Sequence, residues 1–176
     1  MLAKRSPLKR YELYESSISN IVESSPGLSI PDSVEISSLT PDHFDKIDNV
    51  RPGYSDTAKH YLSTGHEGFC IWNDGQIAAL AWMYYNESDS VKRTGYFSLK
   101  PNHAWFHADW TVPRFRGEGM HKYLIRHRAF ELSTRGNNII VESNIASDNT
   151  PSKKNYQKFG FDVSGQLLLL RFGSER

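Results

Sequence analysis

The stretch Thr111–Met120, with the sequence TVPRFRGEGM, places the strongest constraint on how this chain folds. A strand-like run precedes it and an apolar-periodic segment follows it, which predicts a strand, a tight turn and a helix. Gly117 and Gly119 let the backbone approach a ligand closely, and the first amides of a helix have no partner within the helix. Arg114 and Arg116 add charge to the positive helix N-terminus. The stretch therefore predicts a cradle for an anion such as a diphosphate, although an ordinary strand-to-helix turn remains an alternative.

A later stretch, Asn149–Phe161, strengthens this interpretation. The two stretches together resemble the GNAT superfamily of acetyl-CoA-dependent N-acetyltransferases. Residues 114–119 are similar to the Arg/Gln-x-x-Gly-x-Gly/Ala signature of that family. The second stretch is similar to the family's later motif at Asn149, Tyr156, Gly160 and Phe161. Either motif alone is weak, but their order and spacing make the resemblance specific, and it covers roughly residues 34–161.

Composition favours one domain in a reducing compartment. The 176 residues are enough for one ordinary core. Because 21 Lys and Arg residues balance 20 Asp and Glu residues, we expect no general attraction to nucleic acid or to a membrane. The single cysteine, Cys70, excludes an internal disulfide and a cysteine-based zinc site. We therefore expect one cytoplasmic domain over residues 1–176, without a metal and without a membrane-spanning segment.

The order of the predicted elements favours an α/β (α+β) fold. In chain order we expect a strand at 34–36, helices at 40–50 and 55–63, a hairpin over 69–85, a strand at 104–111, a helix at 117–134, a strand at 138–145, a helix at 151–159 and a strand at 166–172. The resemblance implies the GNAT fold for this order, a mixed, twisted, mostly antiparallel sheet flanked by helices.

The N-terminal residues 1–32 lie outside the resemblance. We expect them to form a leader that packs on the domain surface, with a short strand at 10–14. Because little of the chain follows Phe161, we also expect the leader to supply or support an edge strand.

The resemblance implies that acetyl-CoA is the co-substrate and binds around the glycine turn. We expect its pantetheine arm along residues 109–111, with a backbone N–H near Trp110 or Thr111 polarising the thioester carbonyl. The expected coenzyme-binding residues are Trp110, Thr111, Val112, Arg114, Phe115, Arg116, Gly117, Glu118, Gly119, Met120, His121, Asn149 and Tyr156. Asn149 could also cap the helix that follows it.

Three residues depart from the family pattern. Glu118 brings a negative charge close to the expected diphosphate, and His121 replaces a glycine often found in this loop. Ser152 holds the position usually given to alanine. Three basic residues of the following helix could reach the coenzyme's ribose phosphate or form a solvated face: Lys122, Arg126 and Arg128.

Acetyl transfer also needs proton transfer, and three residues are candidates for it. The resemblance places Tyr156 where the family has a tyrosine that protonates the coenzyme A thiolate, so Tyr156 is the candidate general acid. A packing tyrosine is the alternative. His107 and Asp109 are two apart on a predicted strand, so we expect them to share one face and to include the base. Proton removal through a chain of water molecules, without a dedicated base, is the alternative.

The acceptor is the least determined part of the site. Aromatic residues gather before the glycine turn, and the polar connection 86–102, with a predicted strand at 96–99, could close over a bound substrate. We expect the primary amine of a small molecule, with an amino sugar or a nucleotide-linked amino sugar as the leading class. A protein or peptide amine, a non-catalytic acyl-CoA sensor and a module for another diphosphate are the alternatives. Assembly into a homodimer is a further open expectation.

Overall fold

The computed structural model describes residues 8–25, 28–94 and 97–170. Its strands are β1 (Leu8–Ser17), β2 (Val34–Ser38), β3 (Glu67–Asn73), β4 (Gln76–Tyr85), β5 (Lys92–Thr94), β6 (Phe97–Leu99), β7 (His103–Thr111), β8 (Ile140–Ala146) and β9 (Asp162–Leu170). Its α-helices are α1 (Ile18–Glu23), α2 (Phe44–Val50), α3 (Tyr54–Ser63), α4 (Met120–Ser133) and α5 (Thr150–Lys158).

Seven strands form one sheet in the order β2-β3-β4-β7-β8-β1-β9. Neighbouring strands are antiparallel except for β7 and β8, which are parallel. The ladder between these two joins only residues 103–105 to residues 140–142, so β7 and β8 part before β7 ends. Strands β5 and β6 pair separately with each other. The expected mixed, mostly antiparallel sheet flanked by helices is confirmed.

Helices pack on both faces of this sheet, and we name each face after one helix. On the α4 face, Ala104 and Phe106 of β7 belong to the larger buried core together with Leu124 of α4. On the α3 face, Trp82 of β4 belongs to the smaller core together with Ala58 of α3. Burial on both faces explains why β4 is almost continuously apolar.

The short-range predictions hold well. The β3–β4 hairpin turns at Asp74 and Gly75, with φ angles of 48° and 73°, as a two-residue turn of this type requires. A 3₁₀ turn, Pro41–His43, leads into α2. The strand predicted at 96–99 is present as β6, while Tyr96 lies outside the described residues.

The N-terminal segment meets one of the two expected roles. Strand β1 pairs with β8 on one side and with the edge strand β9 on the other, so it supports an edge strand and is itself an interior strand. Tyr14 is 1% exposed, and Ile18 and Ile21 of α1 belong to the same core on the α4 face. The segment enters the sheet because it completes the ladders of two strands and buries apolar side chains at the same time.

Candidate active site

Strand β7 carries a bulge shortly before the glycine turn. The ladder with β4 shifts register between Leu80 and Trp82, so that Ala108 and Asp109 together lie opposite Ala81. Ala108 has a φ of 53°, in the left-handed region that residues other than glycine seldom adopt. The extra residue shifts the alternation of the side chains that follow. Asp109 therefore points to the α4 face.

This bulge corrects the expectation that His107 and Asp109 share a face. His107 lies against Tyr61 and His66 on the α3 face. Asp109 contacts residues of α4 and α5 on the other side of the sheet. The period-two rule fails here because it assumes an unbroken strand.

Asp109 is the centre of a buried polar group that we call the Asp109 cluster, formed with Arg128, His121, Tyr156 and Asn155. Arg128 donates from Nη1 to Oδ1 and from Nη2 to Oδ2, both over 2.8 Å. Nε2 of His121 lies 2.8 Å from Oδ2, and the Tyr156 hydroxyl donates to the same oxygen over 3.0 Å. Nδ1 of His121 lies 3.0 Å from the side-chain nitrogen of Asn155. The Arg128 side chain is 0% exposed and the Asp109 side chain 13%.

The cluster shifts the pKa values of its members. Burial acts to raise the pKa of Asp109, but Arg128 and the hydrogen bond with His121 outweigh it and hold that pKa below its ordinary value. Burial and the nearby Asp109 raise the pKa of Tyr156, although Arg128 and Ser143 oppose them. Asp109 is thus an anion paired with a cation at neutral pH, which makes it a poor base.

The glycine turn has the backbone that its sequence predicts. Gly117 and Gly119 have φ angles of 88° and 85°, and a 3₁₀ turn, Pro113–Phe115, precedes them. Helix α4 begins at Met120, three residues after the start at about Gly117 that the sequence predicts. Both glycines lie outside the helix because a residue with positive φ cannot continue a right-handed helix.

A cavity of about 810 Å³ lies between the end of β7, the glycine turn and α5. The expected site residues in its wall are Asp109, Trp110, Thr111, Phe115, Arg116, Gly117, Gly119, Met120, His121 and Asn149. The expected site residues outside its wall are Val112, Arg114, Glu118, His107 and Tyr156. Tyr156 is 1% exposed, and its hydroxyl is connected to the cavity wall through Asp109.

Two cations of the cavity wall were not singled out in the sequence. Lys154 and Lys158 stand four residues apart on α5 and line the cavity together with Arg116 and Lys122. Their spacing on the helix that Asn149 opens is the signal that could have identified them. Arg128, in contrast, points into the core and pairs with Asp109, so it does not form part of a solvated face.

Asn149 caps α5, as the sequence suggested. Its side chain accepts a hydrogen bond from the backbone N–H of Ser152 over 3.3 Å, and it also lines the cavity. The cap fixes where the first turn of α5 meets the cavity.

A second polar group lies on the α3 face around His107. Nε2 of His107 lies 2.8 Å from Nδ1 of His66, and the Trp105 ring stacks on His107 with the ring centres 4.0 Å apart. Burial, with a contribution from His66, lowers the pKa of His107 to about 3. Burial likewise lowers the pKa of His66 to about 4. Both imidazoles are therefore neutral near pH 7.

Within residues 8–25, 28–94 and 97–170, no three His, Cys, Asp or Glu side chains gather as a metal site would require. No helix in the same ranges has the length and apolar character needed to cross a membrane.

Comparison with family models matches residues 35–161 to the acetyltransferase (GNAT) family. This match covers well over half of the chain. The chain belongs to the GNAT family. A search of curated proteins found no match.

Solved structures share the GNAT fold of this chain at low sequence identity. A Novosphingobium aromaticivorans protein assigned to the family has a TM-score of 0.63 and 18% identity, and the match covers 92% of this chain and 62% of that protein. A tandem GNAT protein from the clavulanic acid pathway has a TM-score of 0.63 and 14% identity, covering 97% of this chain and 56% of the other. An aminoglycoside N-acetyltransferase in complex with CoA has a TM-score of 0.58 and 19% identity, covering 81% and 99%. The chain spans 50 to 63% of the length of the first three structures matched.

The cavity of this GNAT domain fits the coenzyme that the family uses. Arg116, Lys122, Lys154 and Lys158 bring four cations to its wall, which suits a ligand with several phosphates. A Cβ atom added to Gly117 would meet no protein atom within 4 Å, so the space beside this glycine is open to a ligand. The volume of about 810 Å³ lies in the usual range for small-molecule sites.

Changing Gly117 to Val is expected to weaken coenzyme A binding by about 5- to 150-fold, because Val favours a relaxed free turn and restoring the positive φ for binding costs about 1 to 3 kcal/mol. The new side chain would also fill the open space beside the turn. Isothermal titration calorimetry with coenzyme A measures the effect. Gly53→Val is the matched control, because Gly53 has a φ of 73° and open space around it but lies outside the cavity wall. Equal affinity of Gly117→Val and wild type would remove the glycine turn from the binding site.

Proposed function

We propose that this protein transfers an acetyl group from acetyl-CoA to the primary amine of a small molecule. The observation that carries the proposal is the cavity at the glycine turn, where four cations and the open edge of Gly117 adjoin the Asp109 cluster. Acetyl-CoA supplies the acetyl group as a thioester that an amine nitrogen can attack. We further propose a cytoplasmic setting, supported by the free and buried Cys70, while a homodimer stays a prediction.

Holding the coenzyme is the first task of the residues. We assign the diphosphate to the amides and cations of residues 114–121, and we add Lys154 and Lys158 as partners for phosphate groups. The pantetheine arm is assigned to residues 109–111, since β7 has left β8 there and its edge borders the cavity. A backbone N–H near Trp110 or Thr111 would stabilise the negative charge that develops on the carbonyl oxygen.

Proton transfer is the second task. We propose direct transfer with Tyr156 as the general acid for the departing thiolate, supported by its hydroxyl lying 3.0 Å from the cavity-lining Asp109. For the amine's proton we propose His107, because the carboxylate of Asp109 is held by Arg128. His107 is neutral near pH 7, but its pKa of about 3 makes it a weak base as well, so it would have to pass the proton directly to water. A water relay is the alternative to His107.

An amino sugar or a nucleotide-linked amino sugar is the acceptor class that we propose. Among the structures sharing the fold, one is an aminoglycoside N-acetyltransferase and another is a glucosamine N-acetyltransferase region of a fungal protein, with a TM-score of 0.61 and 11% identity over 90% of this chain and 20% of the other. Trp105 and Tyr84 lie around the His66–His107 pair. Trp105 is buried, whereas Tyr84 is half-buried and offers aromatic surface for a sugar ring. Acetylation of a protein or peptide amine and a non-catalytic acyl-CoA sensor are the alternatives.

Release of free thiol from acetyl-CoA is the test of this proposal. The panel of amines contains amino sugars, nucleotide-linked amino sugars, polyamines, amino acids and short peptides. We expect release with the amino-sugar classes. Release with peptides alone would favour the protein-acetylating alternative, and coenzyme binding without release for any amine would favour the sensor. Absence of coenzyme binding would refute the proposal altogether.

A further inference from the structure

Three donors converge on a single oxygen atom in the Asp109 cluster. Oδ2 of Asp109 accepts hydrogen bonds from Nη2 of Arg128 over 2.8 Å, from Nε2 of His121 over 2.8 Å and from the Tyr156 hydroxyl over 3.0 Å. Of these three residues, only Arg128 donates a hydrogen bond to Oδ1, and it does so from Nη1. An ionised carboxylate has about two lone pairs on each oxygen. Oδ2 is therefore crowded with donors.

The hydrogen bond from Tyr156 is the weakest of these three, because its donor is a neutral hydroxyl and its donor–acceptor distance is the longest. Arg128 is a cation, and its two bonds to Asp109 form a bidentate pair, which is the strongest arrangement for a carboxylate. The bond from Tyr156 is the longest of the three on Oδ2. The hydroxyl of Tyr156 can consequently turn away without leaving Asp109 unsatisfied.

His121 is fixed on both of its ring nitrogens. Nε2 faces Asp109 and Nδ1 faces the side-chain nitrogen of Asn155, so neither nitrogen is directed at the cavity that the ring lines. When the Asn155 amide nitrogen donates to Nδ1, that ring nitrogen carries no proton, so the ring proton lies on Nε2 and is donated to Asp109. This arrangement holds the ring as a donor to Oδ2 and not as an acid for a ligand.

We propose that His121 is a positioning residue that keeps the hydroxyl of Tyr156 available by occupying Oδ2 of Asp109. The inference rests on the proposed function, in which Tyr156 protonates the thiolate. In that step the O–H bond of Tyr156 breaks and an S–H bond forms on the coenzyme. The hydroxyl then regains through solvent the proton that the attacking amine has lost, so the protons balance.

In the described part of the chain, few other groups around Tyr156 can form hydrogen bonds with its hydroxyl. Asp109, Arg128 and Ser143 interact with it, and the Tyr14 ring of β1 lies with its centre 6.5 Å from the Tyr156 ring. Of these groups Asp109 is the carboxylate, and it is the acceptor that His121 shares with Tyr156. Removing the His121 donor is therefore expected to tighten the bond from Tyr156 to Asp109.

The test compares His121→Leu, which has no donor, with His121→Gln, whose amide can replace Nε2. The first readout is the NMR shift of isotopically labelled Tyr156 Cζ, which moves downfield as the hydroxyl donates a stronger hydrogen bond; Tyr156→Phe identifies the signal. We expect a downfield shift in His121→Leu and a shift near that of wild type in His121→Gln. This readout needs neither coenzyme nor acceptor, so it tests the inference even where the proposed function fails.

The second readout is kinetic. His121→Leu is expected to lower kcat by at least about tenfold with a change of less than about threefold in coenzyme A affinity, and His121→Gln to recover most of kcat. In a Tyr156→Phe background, His121→Leu should have no further effect on kcat, because the two residues act through one hydroxyl.

His127→Leu, on the same helix, controls for the loss of a histidine. His121→Met is the second donor-free variant, used if His121→Leu does not fold. An unchanged Cζ shift in the donor-free variant, or additive kinetic effects, would overturn the inference.

Discussion

Changing Tyr156 to Phe is expected to lower kcat by about 100- to 10,000-fold, the usual contribution of a positioned general acid. The affinity for coenzyme A should change by less than about threefold. Tyr156 does not line the cavity, and the ring itself is retained in the variant. Steady-state rates of thiol release, together with calorimetry for coenzyme A, measure both quantities.

Tyr14→Phe is the matched control for this variant. Tyr14 is also 1% exposed and its ring is a neighbour of Tyr156, but its hydroxyl donates to Glu12 over 2.9 Å instead of to Asp109. The control therefore removes one buried hydroxyl from the same core without touching the Asp109 cluster. Parallel losses of kcat and affinity in Tyr156→Phe, or an equal loss of kcat in Tyr14→Phe, would make Tyr156 a packing residue.

Changing Arg128 to Leu is expected to lower the free energy of unfolding by about 3 to 5 kcal/mol, as is typical when one partner of a buried ion pair is removed. Asp109 would lose the cation that opposes the effect of burial on its pKa, at a site where its side chain is 13% exposed. Among the described residues, His121 and Tyr156 would remain as its donors. The carbonyl oxygen of Trp82 would also lose the hydrogen bond that it accepts from Nη1 of Arg128 over 2.7 Å. Urea denaturation followed by circular dichroism measures the change.

Arg135→Leu provides the control for the loss of an arginine. Arg135 also makes a bidentate pair, with Glu67 over 2.7 and 2.6 Å, but its side chain is 29% exposed. Its loss should lower the free energy of unfolding by about 1 kcal/mol or less, because exposed ion pairs contribute little. The double variant Asp109→Leu with Arg128→Leu should recover much of the loss, since it leaves no buried charge. Similar values for Arg128→Leu and Arg135→Leu would contradict the assignment of a buried pair.

The pH dependence of stability gives the same pair a second signature. The pKa of Asp109 in the folded protein lies below its value of about 4 in the unfolded chain. Its contribution to stability is therefore fully present above that unfolded value and is lost as pH falls towards the folded pKa.

Much of the fold could be predicted because its signals are local. The pair Asp74 and Gly75 between two apolar runs predicts a hairpin, since few other residues adopt a positive φ at both positions of the turn. The spacing of Gly117 and Gly119 before an apolar-periodic segment predicts a tight turn followed by a helix, although the helix begins at Met120 and not at Gly117 as expected. These features depend on residues close together in the chain, so no knowledge of the tertiary contacts is needed.

The chemistry of the candidate site depended on contacts that the local patterns do not contain. The bulge at Ala108 arises from the register between β7 and β4, and it sends Asp109 to the face opposite His107. Arg128 looks like a surface residue of α4 until the sheet brings Asp109 within 2.8 Å of it. Strand β1 becomes an interior strand of the sheet because β8 and the edge strand β9 each offer it a ladder. Local sequence patterns thus predicted the family, the elements and the glycine turn, whereas the pairing of charges followed from the tertiary structure, because pairing depends on distances between residues far apart in the chain.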